Sequence, residues 1–248
     1  LKMLFRFAFV TLFLLLAGVP CPLGAQSAPD ADGCGLSEFE AALETGAMAL
    51  SQGMTEALHR DITRLLASAA LRADALAASD LEPVCALRLA GFYYRLGRTA
   101  RSLGRMEEAE TWLEEALARH RQQLGDSASV LADILDDLSE VHYRTGRIDE
   151  GFALRERAYA LRRATLKPND PKIAKSLMDL GAAYQLRGEL GLSEDFYRRG
   201  IAILERSGKE YSQQLGEALL VLAELLKASG SSGEAEQLTA QGLKWLDG

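Results

Sequence analysis

The sequence predicts an all-α protein, a solenoid of antiparallel helix pairs with about five helical hairpins. Glycines recur at Gly104, Gly146, Gly188 and Gly230, 42 residues apart each time. A leucine followed by a small residue keeps the same spacing, at Leu96-Gly97, Leu138-Ser139, Leu180-Gly181 and Leu222-Ala223. Composition agrees: among 248 residues only 6 are proline, and Ala, Leu, Arg and Glu are abundant, which favours helix over strand. Self-similarity at such a period marks stacked units that bury their apolar faces against their neighbours.

The first 25 residues differ from the rest. Lys2 and Arg6 precede an uncharged run, Phe7–Val19, and small residues follow in Pro22–Ala28. That pattern is a secretory signal peptide, with cleavage after Ala25 or Ser27. Its 13 apolar residues fall short of a bilayer span, so the mature form is expected to keep no membrane span and to be periplasmic or secreted. The translation start is read as either Leu1 or Met3. Loss of Lys2 and Arg6 would take the formal charge from −7 to about −9. So acidic a chain argues against a nucleic-acid partner.

Residues 26–36 are small and polar and read as a flexible leader. Export leaves Cys34 and Cys85 in an oxidising compartment, where either they form a disulfide or they are two unrelated cysteines. A bridge would close a loop of about fifty residues and contribute about 4 kcal/mol on the chain-entropy model. Residues 37–82 read as two helices, Ser37–Gln52 and Met54–Ser79. The second spaces Leu58, Ile62, Leu65, Ala69, Ala73 and Leu76 along one face. Lacking the leucine and small-residue landmarks, the pair is either a divergent repeat or an N-terminal cap, with a dimerising coiled coil as the alternative.

Residues 83–248 hold four units of 42 residues. In the first, Tyr93, Leu96, Gly97, Ala100 and Leu103 form one helical stripe, and Ala109, Trp112, Leu113, Ala116 and Leu117 a second after the turn. Small residues recur at Ala109, Gly151, Ser193 and Ala235, and at Ala116, Ala158, Gly200 and Gly242, letting paired helices approach closely. The stretch YRTGRIDEGF (Tyr143–Phe152) is read as an inter-helix turn rather than a phosphate loop, because it recurs. Glycine there suits the left-handed backbone that ends a helix.

The order Leu-Gly, Tyr, Gly-Arg, Glu-Ala resembles the tetratricopeptide repeat. The 42-residue spacing and links such as KPNDPKIAKSLMDLG (Lys167–Gly181) are similar to the kinesin-light-chain subtype. In this link Asp170 is expected as the N-cap and Pro171 in the first turn. The resemblance covers about residues 83–246 and implies a right-handed superhelix with a concave groove lined by the first helix of each unit. It implies a protein or peptide partner there and no enzymatic activity or cofactor. The groove candidates are Tyr94, Arg98 and Arg101, then Asp133, Asp136, Glu140 and Tyr143, then Lys175 and Gln185, then Glu224. Such a groove would run from basic to acidic to mixed, with the acidic end of an extended ligand near Arg98 and Arg101. The asparagines that the subtype places before Leu-Gly are absent: Tyr94-Arg95, Asp136-Asp137, Met178-Asp179 and Leu220-Val221 stand there instead. Specific side-chain contacts are therefore expected in place of a sequence-tolerant grip on peptide backbone.

No catalytic or metal motif is apparent. His142 takes the place that Ala100, Tyr184 and Leu226 hold in the other units and reads as a packing residue. The competing view of the whole chain is a self-assembling envelope protein, a homodimer through its N-terminal helices and Trp245.

Overall fold

A computed structural model describes residues 34, 36, 40–41, 43–44, 56–77, 81–126 and 129–247. The predicted signal peptide, nearly all of the leader and most of the predicted helix Ser37–Gln52 lie outside the described residues, although 40–41 and 43–44 are helical. The chain divides into two compact units, Leu1–Ser37 and Glu38–Gly248, and the helices named below belong to the second.

Among the described residues there are nine α-helices and no strand. Helix α1 is Glu56–Ala77. Four hairpins follow: α2 (Pro83–Ser102) with α3 (Met106–Leu124), α4 (Ser129–Arg144) with α5 (Ile148–Thr165), α6 (Pro171–Leu186) with α7 (Leu190–Leu204), and α8 (Ser212–Ala228) with α9 (Ser232–Asp247). A single 3₁₀ turn, Lys209–Tyr211, leads into α8. The two helices of each hairpin pack on each other, and the second helix of a hairpin packs on the first helix of the next unit, which makes an all-α solenoid. None of these helices is long and apolar enough to cross a membrane.

The repeating turn has one construction. Gly104, Gly146, Gly188 and Gly230 have φ of 78°, 81°, 76° and 92°, the left-handed region where a Cβ would be strained. The residue after each glycine turns its amide back onto the helix just ended: Arg105 N to Ala100 O at 2.9 Å, Arg147 N to His142 O at 2.8 Å, Glu189 N to Tyr184 O at 2.9 Å and Ser231 N to Leu226 O at 2.9 Å. This six-to-one closure satisfies a carbonyl that the helix end would otherwise leave bare. At the link between the second and third units, Asp170 accepts from the Lys172 amide at 2.9 Å with Pro171 at the first position, as the sequence predicts.

Within each hairpin the small residues set the helix separation. A Cβ on Gly97 would lie 2.6 Å from Leu113 Cγ and 3.2 Å from the Ala109 carbonyl. One on Gly181 would lie 2.9 Å from the Tyr197 ring and 3.2 Å from the Ser193 carbonyl. Leu96, Leu138, Leu180 and Leu222 beside these positions are all buried. Helix α1 buries Ile62, Leu65, Leu66, Ala69 and Ala73 and packs on α2, to which Tyr93 Oη adds a 3.1 Å hydrogen bond onto Asp74. Burial and that carboxylate push the Tyr93 phenol up to about 12.

Two glycine substitutions separate the effects. Gly91 lies inside α2 with open space around its Cβ position, so Gly91→Ala is expected to stabilise the protein by about 0.5–1 kcal/mol through helix propensity. Gly181→Leu has to displace Tyr197 and is expected to cost about 1–3 kcal/mol or more. Urea unfolding of both variants checks the opposite signs.

Candidate partner-binding face

The first helices of the units, α2, α4, α6 and α8, carry every residue the sequence assigns to a groove. Their charges are paired across the units. On α2, Arg101 Nη2 lies 3.0 Å from Asp137 Oδ1 on α4, and Arg98 Nε lies 3.7 Å from Asp137 Oδ2. Burial and the same carboxylate hold the Tyr94 phenol protonated far above its ordinary range. Arg98 also lies over the Tyr94 ring, 5.7 Å from its centroid. The basic patch expected to receive an acidic ligand thus already holds one acid, contributed by the next unit.

The acidic band is held from the opposite side. Arg162 on α5 is buried, with its side chain 3% exposed, and reaches inward. Its Nη2 donates to Asp133 Oδ1 at 2.5 Å, and its Nη1 donates to Asp136 Oδ2 and to Ser176 Oγ on α6, each at 2.6 Å. One guanidinium fork therefore ties Asp133 and Asp136 of α4 to the first helix of the following unit. Burial pushes the Asp136 carboxyl up despite Arg162 and Lys175 beside it. Lys175 Nζ sits 2.6 Å from Asp179 and 3.7 Å from Asp136, extending the chain of charges along α6. Glu140 and Tyr143 share Arg155, which lies 3.7 Å from the Glu140 carboxylate and 4.5 Å from the Tyr143 ring centroid. Arg155 also donates to the Asp179 carbonyl at 2.6 Å.

Gln185 and Glu224 are exposed. They do not join this ladder. Apart from Gln185, the sequence-predicted residues of the first three units are thus held by residues the groove assignment omitted: Asp137, Arg155, Arg162 and Asp179. A signal for Arg162 exists in the 42-residue register, where His120 and Leu204 hold the same place and both are buried. A basic residue in a core slot has to find carboxylates.

The turn stretch Tyr143–Phe152 has its own network. Arg147 forks onto Glu110 of α3 with two bonds of 2.6 Å, which occupies the guanidinium that a phosphate would need. That fork holds the Glu110 carboxyl below the usual carboxylate range. His142, read from its place in the register as a packing residue, is buried but lies between two carboxylates, 3.2 Å from Glu110 and 3.1 Å from Glu150. In the following unit the same places hold Phe152, Tyr184 and Leu192, and Phe152 meets Tyr184 edge to face with centroids 5.0 Å apart. Among the described residues no cluster of His, Cys, Asp and Glu could hold a metal ion.

The tetratricopeptide repeat family model matches residues 87–164 and 130–206. Solved structures agree in fold. BtubC (BKLC) from P. vanneervenii superposes with a TM-score of 0.69 at 18% identity, over 86% of this chain and 83% of that one. A putative kinesin light chain from Podosopora anserina, with nearly identical TPR-like repeats, has a TM-score of 0.65 at 18% identity, over 85% and 95% of the two chains. Aspartyl phosphate phosphatase F from Bacillus subtilis has a TM-score of 0.68 at 13% identity, over 98% of this chain and 62% of its own. No curated protein matches the sequence significantly.

Removing Arg162 is expected to be severe, because it strands Asp133 and Asp136 next to a buried hydroxyl. Arg162→Met should cost about 3–5 kcal/mol in urea unfolding, the usual range for breaking a buried pair on one side. Adding Asp136→Asn to that variant should recover a large part of the loss. A double-mutant cycle showing strict additivity would contradict the coupling.

Proposed function

The chain is a tetratricopeptide-repeat protein with kinesin-light-chain-like repeats, and from that premise we propose a non-catalytic scaffold that binds a peptide or protein partner along the first-helix face, its concave groove. The observation that carries this reading is the ionic ladder on that face. The first helices hold their side chains by charge-assisted bonds from unit to unit, which fixes a presented surface in advance of any partner. Although paired, Arg98 and Lys175 keep 58% and 59% of their side chains exposed, and Gln185 and Glu224 are open. These four are the contact points of an extended ligand of mixed charge.

Self-assembly is the second reading, favoured by the last helix. Leu243, Trp245 and Leu246 of α9 are 50%, 41% and 41% exposed. A photoreactive residue at Gln185, at Glu224 or at the control position Ala160 on α5 distinguishes the two in the source cell. A discrete foreign protein trapped from positions 185 and 224, and not from 160, supports the scaffold. Crosslinks only to a second copy support self-assembly. Equal trapping at all three sites removes the groove.

Export and a Cys34–Cys85 bridge belong to the same proposal, with residues 37–82 as the N-terminal cap of the array. A bridge between the two cysteines suits an oxidising compartment. On a non-reducing gel of the envelope fraction the protein is expected to migrate faster than its reduced form, and Cys85→Ser is expected to abolish the difference. Recovery from the cytosol with two free thiols would overturn both parts.

A further inference from the structure

The seam between the second and third units holds a hollow that the partner-binding face does not use. It measures about 280 Å³, near the lower end of the roughly 300–1,000 Å³ usual for ligand pockets. Its apolar lining is Ile173 and Leu177 of α6, both buried, with Ile203 of α7 and Pro168 of the link. Its remaining lining is cationic. Arg163 of α5 lies over the Tyr159 ring, 5.6 Å from its centroid, and Arg199 of α7 donates to Tyr159 Oη at 3.0 Å. One tyrosine therefore steadies two guanidinium groups beside an apolar recess.

The repeat supplies an internal comparison. One unit earlier the equivalent positions are Leu117, Arg121, Leu131, Leu135, Arg157 and Leu161. There Arg121 is neutralised by Asp126 at 2.5 Å. Forty-two residues on, Arg163 stands for Arg121, and Pro168 stands for Asp126. The arginine is kept and its acid is lost. Arg163 has no carboxylate partner among the described residues. Neither nearby acid is paired with Arg163: Asp170 caps α6, and Asp195 lies 3.3 Å from Arg199, whose charge it partly offsets. Lys167, next to Pro168, is exposed and adds a further positive charge. In a chain of formal charge −7, an unpaired arginine at an apolar hollow is a local inversion of sign.

We propose that this hollow is a ligand site for a small apolar monocarboxylate, whose carboxylate takes the place at Arg163 that Asp126 takes at Arg121 and whose hydrocarbon covers Ile173, Leu177 and Ile203. Arg199 lends a second donor, so the site prefers an anion over an isosteric alcohol. Desolvation of the aliphatic tail supplies the non-directional part of the affinity.

Titrating the purified full chain with sodium octanoate, followed by amide NMR, tests the site. Saturable shifts are expected around Tyr159, Leu177 and Ile203, with the preceding seam around Arg121 unmoved. Octan-1-ol and octylamine should bind at least ten-fold more weakly. Arg163→Glu should weaken octanoate at least ten-fold, and so should Pro168→Asp, which restores the acid the register lacks. Circular dichroism checks that both variants fold, and if one does not, the other decides. Absence of saturable shifts at the hollow, equal binding of the alcohol, or wild-type affinity in a folded variant would overturn the proposal.

Discussion

Close approach of two helices within each hairpin is the constraint on which the rest of the protein rests. The carbonyl of Ala109 lies 3.2 Å from where a Gly97 Cβ would be, and the carbonyl of Ser193 lies at the same distance from that of Gly181. Any side chain at these two places would force the facing residue to shift, and a large one would push the pair apart. The positive-φ glycine and its six-to-one hydrogen bond then turn the chain tightly enough for the second helix to return at that separation. With hairpin geometry fixed four times at one period, each unit presents the same faces to its neighbours. Inter-unit contacts follow from this geometry.

The ionic ladder is one such consequence. Arg162 sits on the second helix of its unit, yet its head reaches two carboxylates of the first helix and a hydroxyl of the next unit. A buried charge pair contributes less to net stability than its short distances suggest, since both ions leave water. Its larger effect is on register: sliding one unit against the next by a residue would strand a guanidinium in the core. The seam one unit earlier uses Arg147, Glu110 and His142, and at the equivalent places the seam of Arg162 itself uses Phe152 and Tyr184. A polar and an aromatic solution to the same stacking problem thus stand one unit apart.

Periodicity made the fold legible. Leucines and glycines at a 42-residue spacing report the turn and the packed face of every unit, and their burial and dihedral angles agree with that reading. The pairing of charges was not legible from the groove positions alone. Asp136 and Asp137 are neighbours in sequence, but successive helical residues point about 100° apart, so Asp137 turns to α2 and Asp136 to α5. Arg162 was hidden for another reason. On its own helix it reads as one of several arginines, and only the comparison with buried His120 and Leu204 marks its position as interior. For His142 the register was right about burial and silent about chemistry, because the slot is filled by Ala, His, Tyr and Leu in turn.

Self-pairing on the first-helix face limits what a partner can gain from charge. An anionic group approaching Arg101 has to compete with Asp137 at 3.0 Å in a spot where the arginine side chain is only 25% exposed. At Arg98 the competing bond is longer, 3.7 Å, and the side chain is more than half exposed, so exchange of partner costs less there. Asp136 is more constrained still, with Arg162 behind it and Lys175 beside it. On the scaffold reading, affinity therefore has to come from the open positions Arg98, Lys175, Gln185 and Glu224 and from apolar contact. The held pairs set their spacing. Steering by the whole basic-to-acidic sequence of charges is weakened, because each band is largely compensated within the protein before a ligand arrives.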